Sequence, residues 1–442
     1  MQVGVVGTGH VGLITAVAFA ELGHRVIAID SDREKVQTLL SGRAPFYEPG
    51  LQELLSKSLE SKRLEITNDL ARIGGEAEAI FICVGTPPKA SGEANLIAVE
   101  HSATGLAPHF HGRVVVVEKS TVPAGTSRHL QRILHHARPD LGDEVQVVSN
   151  PEFLREGHAI EDSLNPDRIL VGANSDWALE TMREVYKPLI DSGCDFVATD
   201  IITAELSKHA CNAFLAMKIS YANALARLCE RSGADVVAVA DIMGKDQRIG
   251  RAFLNAGLGY GGFCFPKDLA AFERLSLQLG YDFPLLKEIG KINEEALDAT
   301  VRKVVDALWN LEGKRIALLG LTFKPGTDDT RFSPPLALAK KLMERDALVV
   351  GYDPAGSSNA KTELPELEIS ADAYAAIEGA HCLVLATEWD EFAHLDFVKI
   401  KEQMAYPVIV DARNALNADE VAAAGLSYYP TGRPAIVQEL GH

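Results

Sequence analysis

The sequence predicts an α/β protein made of two doubly wound domains joined by a long central helix. Three observations carry this. The first thirty residues read strand, glycine turn, helix, strand. From about residue 312 the same order of apolar and helical runs returns. Between the two lies ITAELSKHACNAFLAMKISYANALARLCERSG, with neither proline nor glycine before Gly233. The expected domains are 1–200, 201–305 (helical) and 312–442, since 442 residues suffice for two or three cores.

In the opening segment, VGVVG is a buried strand and Leu13–Leu22 a helix stopped by Gly23. HRVIAID is the next strand, ending at Asp30. Gly7, Gly9 and Gly12 form GxGxxG between strand and helix, with an acid 18 residues after the last glycine. A lone GxGxxG is a weak signal, but in this context it is a specific dinucleotide fingerprint. The glycines permit a tight turn and close approach of backbone to a pyrophosphate, and the helix N-terminus supplies N–H donors. Asp30 is placed to accept hydrogen bonds from the adenosine ribose, which favours NAD over NADP. The alternative is a Rossmann-like unit that binds no cofactor.

Further strands are expected at AIFICVGTP (79–87), VVVVEKST (114–121) and VQVVSNPEF (145–153). Their apolar runs alternate with helical stretches, as in a parallel sheet. Ligands bind beyond the C-terminal ends of such strands, here VGTPP, KSTVPAG and NPEFLREG. The glycine-free segment from about Thr203 to Arg231 predicts a helix of roughly 40 Å at about 1.5 Å per residue. A helix of that length connects domains or forms a dimer interface. In the last third, KRIALLG parallels QVGVVG, and DALVVGYD, ending at Asp353, parallels HRVIAID. GAHCLVLATEWD and YPVIVDARN supply further strands. The turn after IALLG is LTFKPGTDDTR, so a second Rossmann-like domain is expected with its glycine fingerprint replaced by a loop carrying Lys324 and Arg331.

Composition narrows the function class. The formal net charge is −18, which argues against sequence-independent nucleic-acid binding. No apolar run approaches the roughly 20 residues that cross a bilayer, and MQVGVVGTGH has no basic stretch before an apolar core. The expected location is the cytoplasm, without membrane association. The six cysteines show no CxxC and no metal-ligand spacing, so no metal is expected. Cys83 and Cys382 lie in apolar strands, and Cys211 and Cys229 in the helical segment. Cys264 stands in the glycine-rich GYGGFCFPKD.

An anionic ligand of so acidic a chain needs a local cluster of cations. Lys208, Arg248, Lys267, Lys324, Arg331 and Arg413 all fall in or beside loops and candidate site helices. Singly, each is better read as a solvated surface residue; as a set they suit a diphosphate. Lys208 and Asn212 share a helix face at i, i+4, one turn beyond Glu205. They are either ordinary helix surface or a pair that stabilises an oxyanion in a cleft. Lys267 and Asp268 fall in the first turn of a helix predicted over KDLAAFERL. Helix N-termini and neighbouring cations favour a thiolate, and no histidine lies nearby to act as its base. Simple interconversion of alcohol and carbonyl needs no nucleophilic cysteine, whereas oxidation to an acid does. A thiohemiacetal can give up a second hydride, and water releases the resulting thioester. The dinucleotide site and Cys264 together point to a four-electron oxidation.

GTGHVG, FYEPGLQELL, FICVGTPP, EKSTVPAGT, SNPEFLREG, AELSKHACNAFLAMKIS, RIGRAFLNAGLGYGGFCFPKD, GLTFKPGTDDTR and DARN carry a resemblance across nearly the whole chain. The chain resembles the UDP-glucose/GDP-mannose dehydrogenase family, with RIG, GYGG and CFPKD closest to its UDP-glucose branch. The resemblance implies NAD-dependent oxidation of UDP-glucose to UDP-glucuronate. It implies Cys264 as nucleophile, Lys208 stabilising the oxyanion, and Asn212 and Asp268 positioning substrate and water. Glu152 becomes the base for thioester hydrolysis, and Thr121 helps hold a water. Gly7, Gly9, His10, Val11, Gly12, Asp30, Lys35, Thr86, Thr121, Glu156 and Arg331 are implied to contact NAD. Glu152, Phe153, Leu154, Glu156, Lys208, Asn212, Arg248, Phe253, Asn255, Gly257, Tyr260, Gly261, Phe323, Lys324 and Arg413 are implied to contact the sugar nucleotide. Arg248 reaches the substrate from a partner subunit in that family, which implies a homodimer built on the long helix. One departure is Phe263, where relatives commonly have a small residue; a large ring beside the nucleophile bears on which sugar is preferred. The competing readings are the same chemistry on UDP-N-acetylmannosamine, UDP-galactose or GDP-mannose, a two-electron hydroxyacid dehydrogenase that leaves Cys264 idle, and a sensor of nucleotide sugar and NAD without catalysis.

Overall fold

Eight strands build the first sheet: β1 (Gln2–Val6), β2 (Arg25–Ile29), β3 (Leu64–Thr67), β4 (Ala79–Ile82), β5 (Val114–Glu118), β6 (Val145–Ser149), β7 (Arg168–Gly172) and β8 (Asp195–Thr199). They lie in the order β3-β2-β1-β4-β5-β6-β7-β8. Pairing is parallel except where β6 meets β7 at Ser149 and Gly172. The order reverses between β1 and β4, the switch point at which doubly wound sheets bind ligands. The central strands read as unbroken apolar runs because both faces are covered. Val115 and Val117 enter one core with Leu13 and Phe19, and Val114 and Val116 enter the other with Leu130 and Leu134.

A second sheet contains β9 (Arg315–Leu319), β10 (Leu348–Tyr352), β11 (Glu368–Ile369), β12 (Cys382–Leu385), β13 (Val408–Asp411) and β14 (Ser427–Pro430). Its order, β11-β10-β9-β12-β13-β14, repeats that of the first six strands of the other sheet. The expected second doubly wound domain is therefore present.

The computed structural model describes residues 1–438. Its contacts divide the chain into two compact units, Met1–Cys211 with Ala270–Tyr281, and Asn212–Leu269 with the chain from Asp282 onward. The long helix spans Ile201–Ser232 and is 32 residues long, about 48 Å at 1.5 Å per residue. Gly233, at φ +78°, follows it where a left-handed residue commonly ends a helix. Among the described residues no helix is long and apolar enough to cross a membrane.

Several boundaries differ from the sequence reading. β4, β5 and β6 stop at Ile82, Glu118 and Ser149, short of positions 87, 121 and 153. The stretches beyond β4 and β6 contain Pro87 and Pro151, which have no N–H to give a ladder. The helix expected over KDLAAFERL begins earlier, at Cys264, and runs to Gln278. Pro266 is tolerated because the first turn of a helix leaves its N–H groups unused in any case.

Candidate active site

In the first unit the glycine turn has the form a dinucleotide needs. Gly7 sits at φ +93°, a conformation in which side chains are strained. A Cβ on Gly12 would collide with the Gly7 carbonyl. Gly9 caps the helix His10–Glu21 with no side chain, and the space where its Cβ would lie is open. A pyrophosphate can thus approach the first-turn N–H groups directly. Asp30 Oδ2 accepts from Thr8 N at 2.9 Å, Thr8 Oγ1 at 2.8 Å and Lys35 Nζ at 3.0 Å. Its Oδ1 accepts from Asp32 N at 3.0 Å and keeps a lone pair for a ribose hydroxyl. Burial pushes the Asp30 carboxyl up, but the hydrogen bonds from Asp32, Thr8 and Lys35 outweigh it and hold the group below the usual carboxylate range. These residues fit NAD. Thr86 Oγ1 donates to the Thr121 carbonyl at 3.0 Å, which joins two of the implied cofactor residues. His10, next to Val11 in the turn, stacks on Phe46 with ring centroids 3.8 Å apart.

The same unit holds the loop after β6. Glu152 Oε1 forms an ion pair with Lys208 Nζ at 3.0 Å, and their side chains are only 6% and 5% exposed. Leu154 N donates to Glu152 Oε2 at 2.6 Å. Phe153 lies under the Arg168 guanidinium at 3.9 Å and the Lys208 ammonium at 5.3 Å. The implied base and the implied oxyanion stabiliser are therefore direct partners, and Lys208 is no solvated surface lysine. Glu156 is half-buried in the same loop. Glu205 points elsewhere: it accepts from Gly125 N, Ser127 N and Ser127 Oγ at 2.5 to 2.8 Å, capping the helix Thr126–Ala137.

Sequence reasoning gave no role to Glu48. It accepts from Gly157 N and Ala159 N, both at 2.7 Å, and ties FYEPG to the loop after β6. The partners lie more than a hundred residues away, so nothing local announces the contact.

In the second unit, Cys264 is the first residue of its helix, where the dipole favours an anionic sulfur. Asp268, one turn on, accepts from Asn212 Nδ2 and Lys267 Nζ, each at 2.6 Å and on different oxygens. Lys267 and Asp268 are 5% and 1% exposed. Each glycine before Cys264 is set by a protein neighbour. A Cβ on Gly257 would meet the Ala412 carbonyl at 2.8 Å, one on Gly261 the Phe332 carbonyl at 2.5 Å, and one on Gly262 the Phe323 ring at 2.8 Å. Phe263 has the Arg331 guanidinium over its ring at 4.6 Å and the Lys267 ammonium at 5.7 Å. Arg331 also grips Asp329, donating at 2.9 and 2.6 Å.

Phe323 and Arg413 adjoin this loop. Arg413 Nη2 donates to the Phe323 carbonyl at 3.1 Å, and Lys324 Nζ stands 5.6 Å from the Phe323 ring centre. Phe253 and Tyr260 both pack against Phe265, at 6.3 and 6.0 Å. Asn255 accepts from Arg251 at 2.7 Å. Arg248 differs from these: its side chain is 88% exposed and paired with neighbouring Asp246 at 2.6 Å.

The other cysteines are not comparable. Burial pushes the thiols of Cys83 and Cys382 up to about 12, as befits core residues. Cys211 and Cys229 lie on the long helix.

Comparison with known proteins decides the family. Residues 1–190 match the NAD-binding domain of the UDP-glucose/GDP-mannose dehydrogenase family, 202–295 its central domain and 317–418 its UDP-binding domain. The chain belongs to that family. Its members include UDP-glucose 6-dehydrogenase of Rhizobium meliloti (strain 1021), 44% identical over 438 residues, covering 98% of this chain and all of that protein. The enzyme of the same name from Pseudomonas aeruginosa is 41% identical, with 98% of each chain covered. Among solved structures, a UDP-glucose dehydrogenase of Pyrobaculum islandicum superposes with a TM-score of 0.90 at 37% identity over 98% of both chains. A UDP-D-ManNAc dehydrogenase of Pyrococcus horikoshii gives 0.87 at 27%, over 98% of this chain and 99% of that one.

As a member of the UDP-glucose/GDP-mannose dehydrogenase family the chain is an NAD-dependent oxidoreductase. Its UDP-binding domain keeps the acid of the fingerprint and changes its use. Asp353 Oδ2 accepts from Leu321 N, Thr322 N, Thr322 Oγ1 and Trp389 Nε1 at 2.8 to 3.0 Å. Its Oδ1 accepts from Ala355 N and Gly356 N at 3.0 and 2.7 Å. Asp353 is 2% exposed and its lone pairs are consumed by protein. The acid that keeps a lone pair at the end of one sheet's second strand is a structural knot in the other.

Proposed function

We propose that the chain oxidises UDP-glucose to UDP-glucuronate with two equivalents of NAD. The carrying observation is Cys264 at a helix N-terminus, at the end of a packed glycine loop and one turn before the buried Asp268. The substrate follows from full-length relatives bearing the name UDP-glucose 6-dehydrogenase. NAD, when bound, accepts the hydrides removed from C6 of the sugar. The Cys264 thiolate adds to the C6 aldehyde, and the oxygen takes a proton, giving a thiohemiacetal. Loss of the second hydride and that proton leaves a thioester. Water adds to its carbonyl, the C–S bond breaks, and the carboxylate leaves with the thiol restored. Lys208 steadies negative charge on the C6 oxygen. Glu152 takes the proton from the hydrolytic water, which Thr121 helps hold. Asn212 and Asp268 position sugar and water. Gly7, Gly9, Gly12, Asp30, Lys35, Thr86, Glu156 and Arg331 bind NAD, and Phe323, Lys324 and Arg413 bind the nucleotide.

The enzyme acts as a homodimer. On the long helix Phe214, Tyr221 and Leu228 recur every seven residues and are each more than half exposed. Such a stripe suits a second copy of the same helix. Arg248, solvent-facing in one chain, then serves the partner's site. The chain resides in the cytoplasm, which agrees with six cysteines none of which is in a disulfide.

The direct test is stoichiometry: UDP-glucose should yield two NADH per sugar. One NADH, or none, overturns the reading. Preference for UDP-galactose, UDP-N-acetylmannosamine or GDP-mannose in kcat/KM overturns the sugar assignment alone.

A further inference from the structure

The loop AGLGYGG, residues 256–262, has no helix or strand of its own. Its main chain is held from two helices by asparagine side chains. Gly257 N donates to Asn223 Oδ1 at 2.7 Å, in a buried contact. Tyr260 N donates to Asn293 Oδ1 at 2.7 Å, and Asn293 Nδ2 donates back to the Tyr260 carbonyl at 3.0 Å. Asn223 lies on the long helix and Asn293 on the helix Pro284–Leu308. Asn293 offers Tyr260 the paired donor and acceptor that a neighbouring strand would offer. Gly259, at φ +101°, leaves the room this requires, since a Cβ there would collide with Asn293 Oδ1.

We infer that Asn223 and Asn293 are positioning residues for the reaction. They satisfy three of the loop's backbone polar groups, the Gly257 and Tyr260 N–H and the Tyr260 carbonyl, and fix its path into Cys264 before any ligand arrives. Unpaired, those groups would seek water and the loop would sample other paths. The two amides work differently. Only the oxygen of Asn223 serves the loop, so aspartate can replace it. Arg227 and Lys303, which line the same small cavity as Asn223, are already paired with Glu295 and Glu230, and an aspartate oxygen still accepts from Gly257 N. Asn293 uses both ends of its amide, so aspartate would set a carboxylate oxygen against the Tyr260 carbonyl.

The inference rests on Cys264 being the nucleophile, and the test separates the two. Full-length wild type, Asn223→Asp, Asn223→Leu and Asn293→Asp are compared below their melting temperatures. The readouts are steady-state NADH formation and the rate of Cys264 alkylation by iodoacetamide, followed by mass spectrometry. Asn223→Asp should keep kcat/KM for UDP-glucose within about two-fold. Asn223→Leu and Asn293→Asp should lose about ten-fold or more, as expected for a lost buried hydrogen bond, with KM for NAD unchanged. The alkylation rate should change in the same two variants and not in Asn223→Asp. If the wild type oxidises no nucleotide sugar, the functional reading fails and alkylation alone judges the loop. Kinetics and alkylation unchanged in Asn223→Leu and Asn293→Asp, or equal loss in Asn223→Asp and Asn223→Leu, overturn the inference. If Asn293→Asp does not fold, the two Asn223 variants decide between these outcomes.

Discussion

Asn212 donates to one oxygen of Asp268 at 2.6 Å while Lys267 donates to the other at the same distance. The carboxylate is thus shared between a neutral amide and a charged amine, both buried. Asp268→Asn removes the only negative charge of this trio and leaves the Lys267 ammonium buried without it. Breaking a buried pair in this way costs about 3–5 kcal/mol, whereas Asn212→Ala removes one neutral donor at about 1–3 kcal/mol. Chemical denaturation should rank Asp268→Asn as the more destabilised of the two. The reverse order would mean that the Lys267 pair contributes little.

The ring of Phe263 lies against the Arg331 guanidinium. A cation–π contact of this kind stabilises by about 0.5–2 kcal/mol. If Arg331 contacts NAD, Phe263→Ser should raise KM for NAD by about two- to ten-fold and leave KM for UDP-glucose unchanged. A change in sugar preference instead would identify the ring as a wall of the sugar pocket.

Glu118 ends β5 in the middle of the first sheet and is 1% exposed. Burial pushes its carboxyl well above the usual range, with the Glu205 carboxylate adding to the push and Ser120 easing it only in part. The folded chain therefore holds this proton to a higher pH than the unfolded chain does. Between the ordinary glutamate value of about 4.3 and the raised one, the native state binds more protons, so stability falls as pH rises. Glu118→Gln abolishes that slope. Calorimetry across a pH series from 5 upward should show the variant gaining on wild type as the pH first rises. Parallel curves would mean that Glu118 ionises normally.

Arg248 and Cys264 offer a test of the dimer. Each of Arg248→Ala and Cys264→Ala should be inactive alone. If Arg248 acts on the partner's site, a mixed dimer contains one site with both residues intact. Mixing the two variants under subunit exchange should restore NADH formation, and sedimentation of Phe214→Asp should show monomer. No recovery on mixing would place Arg248 in its own subunit's site.

Much of the fold could be read because its signals are local. GxGxxG, the apolar runs of β1, β4 and β5 and the glycine-free stretch before Gly233 each specify their own element. So do the repeats KRIALLG and DALVVGYD, which located the second sheet. Strand ends were less legible: whether Pro87 or Pro151 still lies on a strand depends on the neighbouring ladder. The site residues named by motif carried no information about whom they meet. Nothing near Glu152 in sequence specifies Lys208, and nothing near Glu48 specifies Gly157. The glycines of GYGG suggested room for a ligand. In the fold, three glycines of the loop instead meet Ala412, Asn293 and Phe332, neighbours supplied by distant segments.

The saturation of Asp353 fixes a binding stoichiometry. Two sheets of the same strand order invite the expectation of two dinucleotides per chain. Asp30 retains a lone pair for a ribose hydroxyl, whereas Asp353 has given its own to Leu321, Thr322, Ala355, Gly356 and the Trp389 indole. A titration with NADH should therefore close at one equivalent per polypeptide. The two sheets of one chain then give no basis for cooperativity in that isotherm.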